Sequence, residues 1–347
     1  MAVLGLALQG GGSHGAFTWG VLDRLLDEVD RGELQIGGLS GASAGAINAA
    51  LCVAGLAQGG PAAARAKLRA FWEGMSQRGA SAGNALFGFL DPGLFGFNID
   101  WSPGAIALEA LGLVVSPYTN LFYRDYLGPL LRDSFSAAEL VALNAARAPR
   151  VFVSALNVGT GELQIFSQPD ITLDSLRASA CLPTEFKAVQ IGGAFYWDGG
   201  YTANPALDPL LDVADDLLLV VVNPLLYENP PPITARQILD RLNQVTFNAS
   251  LLQEVNAIEA VNKMLRAYGR PPGDHYRPIR LHMVRNERFA ESLGFVSKSS
   301  TSWALLDPLF HTGRSAAGTW VKKHLQQVGR ESSFDLKSDA IGRVLKP

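Results

Sequence analysis

Short apolar runs of strand length alternate along the chain with stretches of helical periodicity. The apolar runs cover 3–8, 36–39, 151–156, 216–222 and 279–284. The run at 216–222 is apolar on both faces, as are parallel strands that helices cover on both sides. After the first run, apolar residues recur on one helix face, at Val21, Leu22, Leu25, Leu26 and Val29. The pattern therefore predicts strands and helices in alternation, with at least one central parallel strand.

The same periodicity predicts several further helices and hairpins. Helical stretches are expected at 46–56, 61–76, 121–134, 137–146, 173–180 and 303–325, the last interrupted near Pro308. A longer helix begins at Thr234, where Gln237 completes a capping-box pattern, and continues until Gly269. Turn residues predict one hairpin after 151–156 and another at Gly192-Gly193.

A serine lies between the second strand and the helix that follows it. Residues 41–45 read Gly-Ala-Ser-Ala-Gly, which is a G-x-S-x-G pattern around Ser43. A serine on such a sharp strand-to-helix turn is exposed above the sheet, and the helix N-terminus favours negative charge beside it. A nucleophilic serine needs that stabilisation, because acyl transfer develops an oxyanion. The alternative is a turn of small residues that only packs the helix onto the strand.

A glycine loop follows the first strand. Gly10, Gly11 and Gly12 begin a stretch that matches the dinucleotide fingerprint G-x-G-x-x-G. That fingerprint requires an acidic residue at the end of the second strand, where this chain has the serine turn instead, and Glu33 precedes that strand. If the first two strands are parallel neighbours, the loop N–H groups can instead donate hydrogen bonds to an oxyanion at Ser43.

An aspartate flanked by glycines ends a later strand. Asp198 follows the apolar residues 194–197 and precedes Gly199-Gly200. Asp-Gly is also a common turn dipeptide, so a turn aspartate is the alternative interpretation. Beside a serine turn and a glycine loop, a catalytic carboxylate is the favoured one.

Composition narrows the function classes. The hydrophobic content of 48% and charged content of 18% are typical of a globular protein, and a net charge of −3 argues against nucleic acid as a partner.

Cys52 and Cys181 have apolar neighbours, which predicts buried thiols without a disulfide. The first residues read as a strand and not as a signal peptide. Residues 34–64 carry no charge and are long enough to span a bilayer, but their polar residues and glycines favour a buried strand, turn and helix.

One stretch has no clear periodicity. Residues 86–115 are rich in glycine, phenylalanine and leucine and contain Pro92 and Pro103. Long irregular segments in compact domains are often lids, so 78–123 is interpreted as a cap that lines an acyl-chain pocket. The alternative is an irregular part of the core.

The chain resembles the patatin-like acyl hydrolases, specifically a bacterial branch of that family. The resemblance rests on residues 10–15, 41–45 and 198–200 in this order, and on Ala-Ser-Ala-Cys-Leu-Pro at 178–183. It implies a three-layer α/β/α sandwich with a mostly parallel central sheet. It also implies a single hydrolase domain over 1–347, with a motif-bearing core at about 3–225 and a helical C-terminal part at 233–330.

The resemblance further implies a Ser–Asp dyad. Ser43 would be the nucleophile, Asp198 the base, and Gly10, Gly11 and Gly12 the oxyanion site. The family usually has arginine or lysine where this chain has His14, so His14 either supplies a pH-dependent charge or only packs the loop. The implied reaction is hydrolysis of lipid or other carboxylic esters through an acyl-enzyme. It needs no metal or cofactor, and no Cys/His cluster in the sequence indicates one.

Two other functions remain open at this stage. An α/β-hydrolase triad would combine Ser43 and Asp198 with His275, His282 or His311. A non-catalytic regulator would keep the fold without turnover. For the favoured function we expect an acyl-ester or lipid substrate and a cytoplasmic location. Peripheral membrane contact and a homo-oligomer are further alternatives that the sequence leaves open.

Overall fold

A computed structural model describes residues 3–83, 116–120, 123–145, 149–226, 231–269, 276–291, 293–294 and 296–336. The strands are β1 (Val3–Leu8), β2 (Gln35–Ala42), β3 (Arg150–Asn157), β4 (Leu163–Ser167), β5 (Val189–Ile191), β6 (Ala194–Asp198), β7 (Asp216–Val220) and β8 (Arg280–Val284). The α-helices are α1 (Gly15–Asp30), α2 (Ala44–Gly83), α3 (Leu127–Ser134), α4 (Ala137–Asn144), α5 (Leu173–Ser179), α6 (Ala235–Tyr268), α7 (Glu287–Glu291) and α8 (Trp303–His324). Short 3-10 turns include Gly12–His14, Gly199–Tyr201 and Val296–Ser299.

One eight-stranded sheet forms the centre of the fold, with the order β5-β6-β3-β2-β1-β7-β8 and with β4 paired to β3. The pairs β1–β2, β1–β7, β2–β3 and β7–β8 are parallel. The hairpin strands β4, β5 and β6 add antiparallel pairs at one end. Leu8 lies beside both Gly41 and Val220. The loops that follow β1, β2 and β7 therefore open at the same edge of the sheet.

Helices cover both faces of this sheet. Alternate residues of β1 and β7 point into two separate cores: Leu6 and Leu218 belong to one, and Ala7 and Leu219 to the other. The first core contains α1, α2 and α8, and the second contains the central part of α6. This arrangement confirms the predicted three-layer α/β/α sandwich. The capping box at Thr234 and Gln237 is also formed.

Helix α2 has the length and apolar composition of a membrane span, from Ala44 to Arg78. It is nevertheless broken at Gly59 and Gly60, whose backbone angles are not helical, immediately before Pro61. Its first half, Ala46 to Ala54, is buried against the rest of the fold. Core helices of globular domains have the same composition. We therefore interpret α2 as a core helix, in agreement with the sequence-based expectation.

Some predicted elements differ in extent from the observed ones. The helix predicted at 121–134 begins only at Leu127. Helix α8 continues through Pro308, where an interruption was expected. A proline removes one backbone hydrogen bond, and here the buried side chains of Leu305 and Leu309 anchor the helix on either side. Both cysteines are buried free thiols, as predicted. Most of the predicted cap, 78–123, lies outside the described residues.

Candidate active site

Two strands point towards each other along one edge of β3. Residues Gly38 to Ala42 of β2 pair with Arg150 to Ser154 in parallel. The next residues of β3, from Ala155 onwards, pair with β6 in the antiparallel direction, beginning at Asp198. The other edge of β3 is occupied by β4. Because β2 and β6 run in opposite directions, their carboxyl ends meet, and this meeting brings Asp198 next to Ser43.

Ser43 occupies the turn between β2 and α2 in a strained conformation. Its φ of 53° is the only positive value among the described non-glycine residues. A side chain on Gly41 would collide with the backbone nitrogen of Ala46, and one on Gly45 would collide with the carbonyl oxygen of Leu8. The two glycines are therefore required by the close approach of backbone to backbone. The turn directs the first N–H groups of α2 towards the serine, as expected at a helix N-terminus.

The end of α5 and the residues after it position both Ser43 and Asp198. The backbone N–H of Ser43 donates to the carbonyl oxygen of Ser179 at 3.1 Å and to its hydroxyl at 3.0 Å. The N–H of Asp198 donates to the carbonyl oxygen of Cys181 at 2.8 Å. Two residues of one segment, Ser179 and Cys181, thus fix the separation of Ser43 and Asp198. This explains physically why the sequence at 178–183 accompanies the two motifs.

Asp198 is a buried carboxyl group with few hydrogen bonds. It is fully inaccessible to solvent. Its Oδ1 atom accepts a 2.8 Å hydrogen bond from the N–H of Gly200, whereas Oδ2 has no partner of good geometry among the described residues. Burial raises the pKa of Asp198 to about 7, although the Gly200 N–H and the neighbouring Ser43 hydroxyl both lower it. A carboxyl with this pKa is a much stronger base than an exposed one.

The glycine loop lies directly beside Ser43. A Cβ atom on Gly10 would come within 2.8 Å of the Cβ atom of Ser43. The N–H of Gly10 is already used, because it donates to Oδ1 of Asn204 at 2.7 Å. The N–H groups of Gly11 and Gly12 form no hydrogen bond with the described residues. Gly12 has a φ of 58° and meets the carbonyl oxygen of Lys298 so closely that a side chain there would not fit.

Buried amides hold the glycine loop in place. The carbonyl oxygen of Gly10 accepts from Nδ2 of Asn223 at 3.2 Å. Gln9 accepts from two backbone N–H groups after β7 and donates to Asn248 at 2.8 Å. Local sequence motifs do not identify these amides or Asn204. Polar residues soon after apolar strands could have indicated Gln9 and Asn223. Asn248 lies within α6, and Asn204 lies in the segment after β6, so the sequence carries no such signal for them.

His14 is buried and uncharged near neutral pH. Desolvation, with a smaller effect from Lys298, lowers its pKa to about 3. Its Nε2 atom lies 2.7 Å from the hydroxyl of Ser297, which itself donates to the carbonyl oxygen of Gly294. The Ser297 oxygen must therefore accept from His14 Nε2–H. Of the two roles considered for His14, this geometry supports packing of the loop.

A narrow pocket opens at Ser43. Its volume is about 50 Å³. The apolar part of its wall includes Ile47, Phe71, Trp72, Met75, Leu127, Leu182 and Phe186. The polar part includes Ser13, Glu185, Lys298, Ser299 and Thr301. The pocket therefore has an apolar side and a polar side, and Ser43 belongs to its lining.

The histidines of the alternative triad lie elsewhere. His282 is on β8, which β1 and β7 separate from β2, and its ring contacts Asp216 and Ser333. His311 is exposed on α8, 3.6 Å from Asp307. His275 lies outside the described residues. Neither described candidate therefore completes a triad with Ser43 and Asp198.

Within the described ranges, no three His, Cys, Asp or Glu side chains are grouped so that they could hold a metal ion. The polar groups around Ser43 are instead the carboxyl groups of Asp198 and Glu185, several hydroxyls, backbone N–H groups and the Lys298 ammonium group. Such a set can stabilise an oxyanion and move a proton, which are the two requirements of acyl transfer.

Comparison with known proteins gives one family and a set of solved structures. Residues 6–211 match the family model described as patatin-like phospholipase. Among the solved structures that match is VipD from Legionella pneumophila, with a TM-score of 0.39 and 15% sequence identity, over 93% of this chain and 67% of that chain. No curated protein matches this sequence significantly.

Proposed function

The chain belongs to the patatin-like phospholipase family, whose activity is lipid acyl hydrolysis, and we propose that it cleaves carboxylic esters through a dyad of Ser43 and Asp198. The observation that carries this proposal is the meeting of β2 and β6 end to end along β3. That topology gives the serine a buried carboxyl neighbour without any histidine between them.

In the first half-reaction the Ser43 oxygen attacks the ester carbonyl carbon, and Asp198 takes the hydroxyl proton. The N–H groups of Gly11 and Gly12 stabilise the resulting oxyanion, while Gly10 shapes the loop through its bond to Asn204. One such donor typically contributes roughly 3–4 kcal/mol to lowering the barrier. The carbon–oxygen bond to the alcohol then breaks, and the leaving alcohol takes the proton from Asp198.

In the second half-reaction water attacks the acyl-enzyme. Asp198 takes a proton from the water, and the same N–H groups stabilise the second oxyanion. The bond between the acyl group and Ser43 breaks, and the serine oxygen recovers its proton from Asp198. The products are the carboxylic acid and the regenerated enzyme.

The apolar wall of the pocket supports a substrate with an acyl chain. Phe71, Trp72 and Phe186 present large apolar surfaces beside the serine. Burial of each methylene group contributes about 0.8 kcal/mol, so successive lengthening of the chain should increase kcat/KM until the pocket is filled. Because the described pocket is narrow, its side chains must move to admit a long chain.

We expect the purified protein to react with a fluorophosphonate probe at Ser43 and to hydrolyse p-nitrophenyl esters with increasing kcat/KM from acetate to longer acyl chains. Mass spectrometry of the labelled peptide and initial rates across a chain-length series are the measurements. A folded protein that neither labels nor hydrolyses any ester would support the non-catalytic alternative. A sharp preference for the acetate ester would exclude the acyl-chain pocket, and the proposal would then be limited to hydrolysis of short esters.

The pH profile of kcat/KM is expected to rise through an apparent pKa of about 7. The base must be ionised, so activity increases with pH up to a plateau and decreases about tenfold for each pH unit below the pKa. The charged groups that affect Asp198 are Glu185, which raises its pKa, and Lys298, which lowers it. We therefore expect Glu185→Gln to shift the rising limb to lower pH.

This shift distinguishes a base that lies beside Glu185 from a distant histidine, because the ordinary pKa of histidine is also close to neutral. Glutamine keeps the acceptor for the 2.6 Å hydrogen bond from the Ser299 hydroxyl, so the pocket wall is retained. Initial rates with p-nitrophenyl butyrate over a pH series are the measurement, with His311→Ala as the control. A rising limb that moves with His311→Ala and not with Glu185→Gln would contradict the dyad.

A further inference from the structure

The 3-10 turn Val296–Ser299 forms the polar wall of the active-site pocket and packs against the glycine loop. Ser297 binds His14, and the carbonyl oxygen of Lys298 is in close contact with Gly12. On the other side of the turn, the Ser299 hydroxyl donates to Glu185. The turn therefore has a defined position with respect to the loop that faces Ser43.

Lys298 brings a positive charge to this wall. Its Nζ atom donates to Oδ1 of Asn243 at 3.0 Å and lies 5.3 Å from the centre of the Phe247 ring. Phe247 packs against Gly200, two residues after Asp198. The ammonium group is near enough to lower the pKa of both His14 and Asp198. Lys298 is thus held near the glycine loop and the base by contacts with two residues of α6.

The two sides of the pocket fit the two parts of an ester. The acyl chain matches the apolar wall formed by residues of α2 and α3 with Leu182 and Phe186. The alcohol part then faces the opposite kind of surface, which contains Lys298, Ser299 and Thr301. Asp198 lies on this side too, because the Lys298 ammonium group lies over the Phe247 ring, and Phe247 packs against Gly200 beside Asp198.

We propose that Lys298 is a specificity-determining residue that binds a phosphate group carried by the alcohol part of the substrate. The inference rests on the proposed function, because it assigns a role within the same pocket. An ammonium group and a phosphate oxygen form a charge-assisted hydrogen bond, which is stronger than a neutral one. The hydroxyl of Thr301 is an additional donor for the remaining phosphate oxygens, whereas the Ser299 hydroxyl donates to Glu185.

Glu185 is the other ionisable side chain of the polar wall. It is half-buried, desolvation raises its pKa, and its carboxylate accepts the hydrogen bond of the Ser299 hydroxyl. With His14 uncharged, Lys298 is the cationic side chain among the described residues that line the pocket.

The test compares two esters that differ only in the phosphate, 1-octanoyl-glycerol 3-phosphate and 1-octanoyl-glycerol, both at concentrations where they do not aggregate. Rates are measured for wild type, Lys298→Met, Lys298→Arg and the distant control Lys322→Met on α8. Because loss of Lys298 raises the pKa of Asp198, all rates are taken near pH 9, where the base is ionised in every variant.

We expect wild type to prefer the phosphate-bearing ester, and Lys298→Met to reduce the ratio of the two kcat/KM values by about tenfold or more. Lys298→Arg should restore most of the ratio, and Lys322→Met should leave it unchanged. An unchanged ratio in Lys298→Met, or equal losses on both esters, would overturn the inference. Fluorophosphonate labelling and hydrolysis of the neutral ester test the proposed function separately, so failure of the function is recognised independently.

Discussion

Replacement of Ser43 by alanine is expected to reduce kcat/KM for every ester substrate by at least about 10⁴-fold and to abolish fluorophosphonate labelling. The reason is that no acyl-enzyme can form without the hydroxyl, while the glycine loop and the helix N-terminus remain. Any residual activity would then come from direct attack of water on the ester, with the oxyanion still stabilised by the loop N–H groups. Steady-state rates and intact-protein mass spectrometry are the measurements.

Two further variants separate chemistry from folding. Because Ser43 has a φ of 53°, Ser43→Gly should be inactive but more stable than Ser43→Ala, by about 1 kcal/mol. Ser40→Ala removes another buried hydroxyl, from the strand that precedes Ser43, which donates to the carbonyl oxygen of Ala206 at 2.6 Å. That control should lose about 1 kcal/mol of stability and retain labelling. Labelling that persists in Ser43→Ala would exclude Ser43 as the nucleophile.

The second large effect is expected for Asp198→Asn, which should reduce kcat/KM by about 10³- to 10⁴-fold. Asparagine keeps the shape of the side chain and can still accept the hydrogen bond from Gly200, but it cannot take the serine proton.

The same substitution is not expected to reduce the free energy of unfolding. The raised pKa of Asp198 means that the folded state binds its proton more tightly than the unfolded state does, so this group lowers stability as pH rises from about 4 to about 7. At about pH 8, Asp198→Asn should therefore be at least as stable as wild type, with a gain of up to about 4 kcal/mol.

Asp216→Asn is the matched control, since Asp216 is also a buried carboxyl group at a strand end. Its carboxylate binds Arg280 at 2.7 Å and 2.9 Å and contacts His282. Desolvation raises the pKa of Asp216, but hydrogen bonds from His282 and Arg280 outweigh it and lower the pKa to about 2. The ionised group therefore stabilises the fold above its ordinary pKa, and this stabilisation is lost as the pH falls towards 2. We expect Asp216→Asn to cost about 3 kcal/mol and to leave the folded enzyme active. Melting curves and rates on the same preparations are the measurements; an active Asp198→Asn variant would contradict the proposed base.

Much of the fold could be predicted from local pattern. The strands at 3–8 and 151–156, the helix face from Val21 to Val29 and the capping box at Thr234 depend on residues close in sequence, and the structure has them. The boundary of α3 and the continuity of α8 through Pro308 could not be predicted. Both depend on tertiary packing, which stabilises or omits a helical turn regardless of local preference.

The candidate site divides in the same way. Residues 41–45 carry the conformational requirement for a serine turn, because only glycine fits where backbones touch. Other features of the site depend on contacts between residues that are far apart in the sequence. They are the hydrogen bond from the Gly10 N–H to Asn204, the uncharged state of His14 and the position of Lys298. No local sequence pattern contains these contacts. Only the tertiary structure therefore excludes the Gly10 N–H and leaves Gly11 and Gly12 as the proposed donors to the oxyanion.

The sequence by itself determined the family, the layered α/β architecture and the local forms of the serine turn, the glycine loop and the aspartate turn, because each depends on short-range sterics and on the period of apolar residues. Only the tertiary structure decided that β2 and β6 meet end to end along β3. That meeting places Ser43 and Asp198 together and buries the carboxyl group, and burial in a medium of low polarity is what raises its pKa to about 7. The side chain that the sequence identifies as an aspartate thus acquires its basicity from residues far away along the chain.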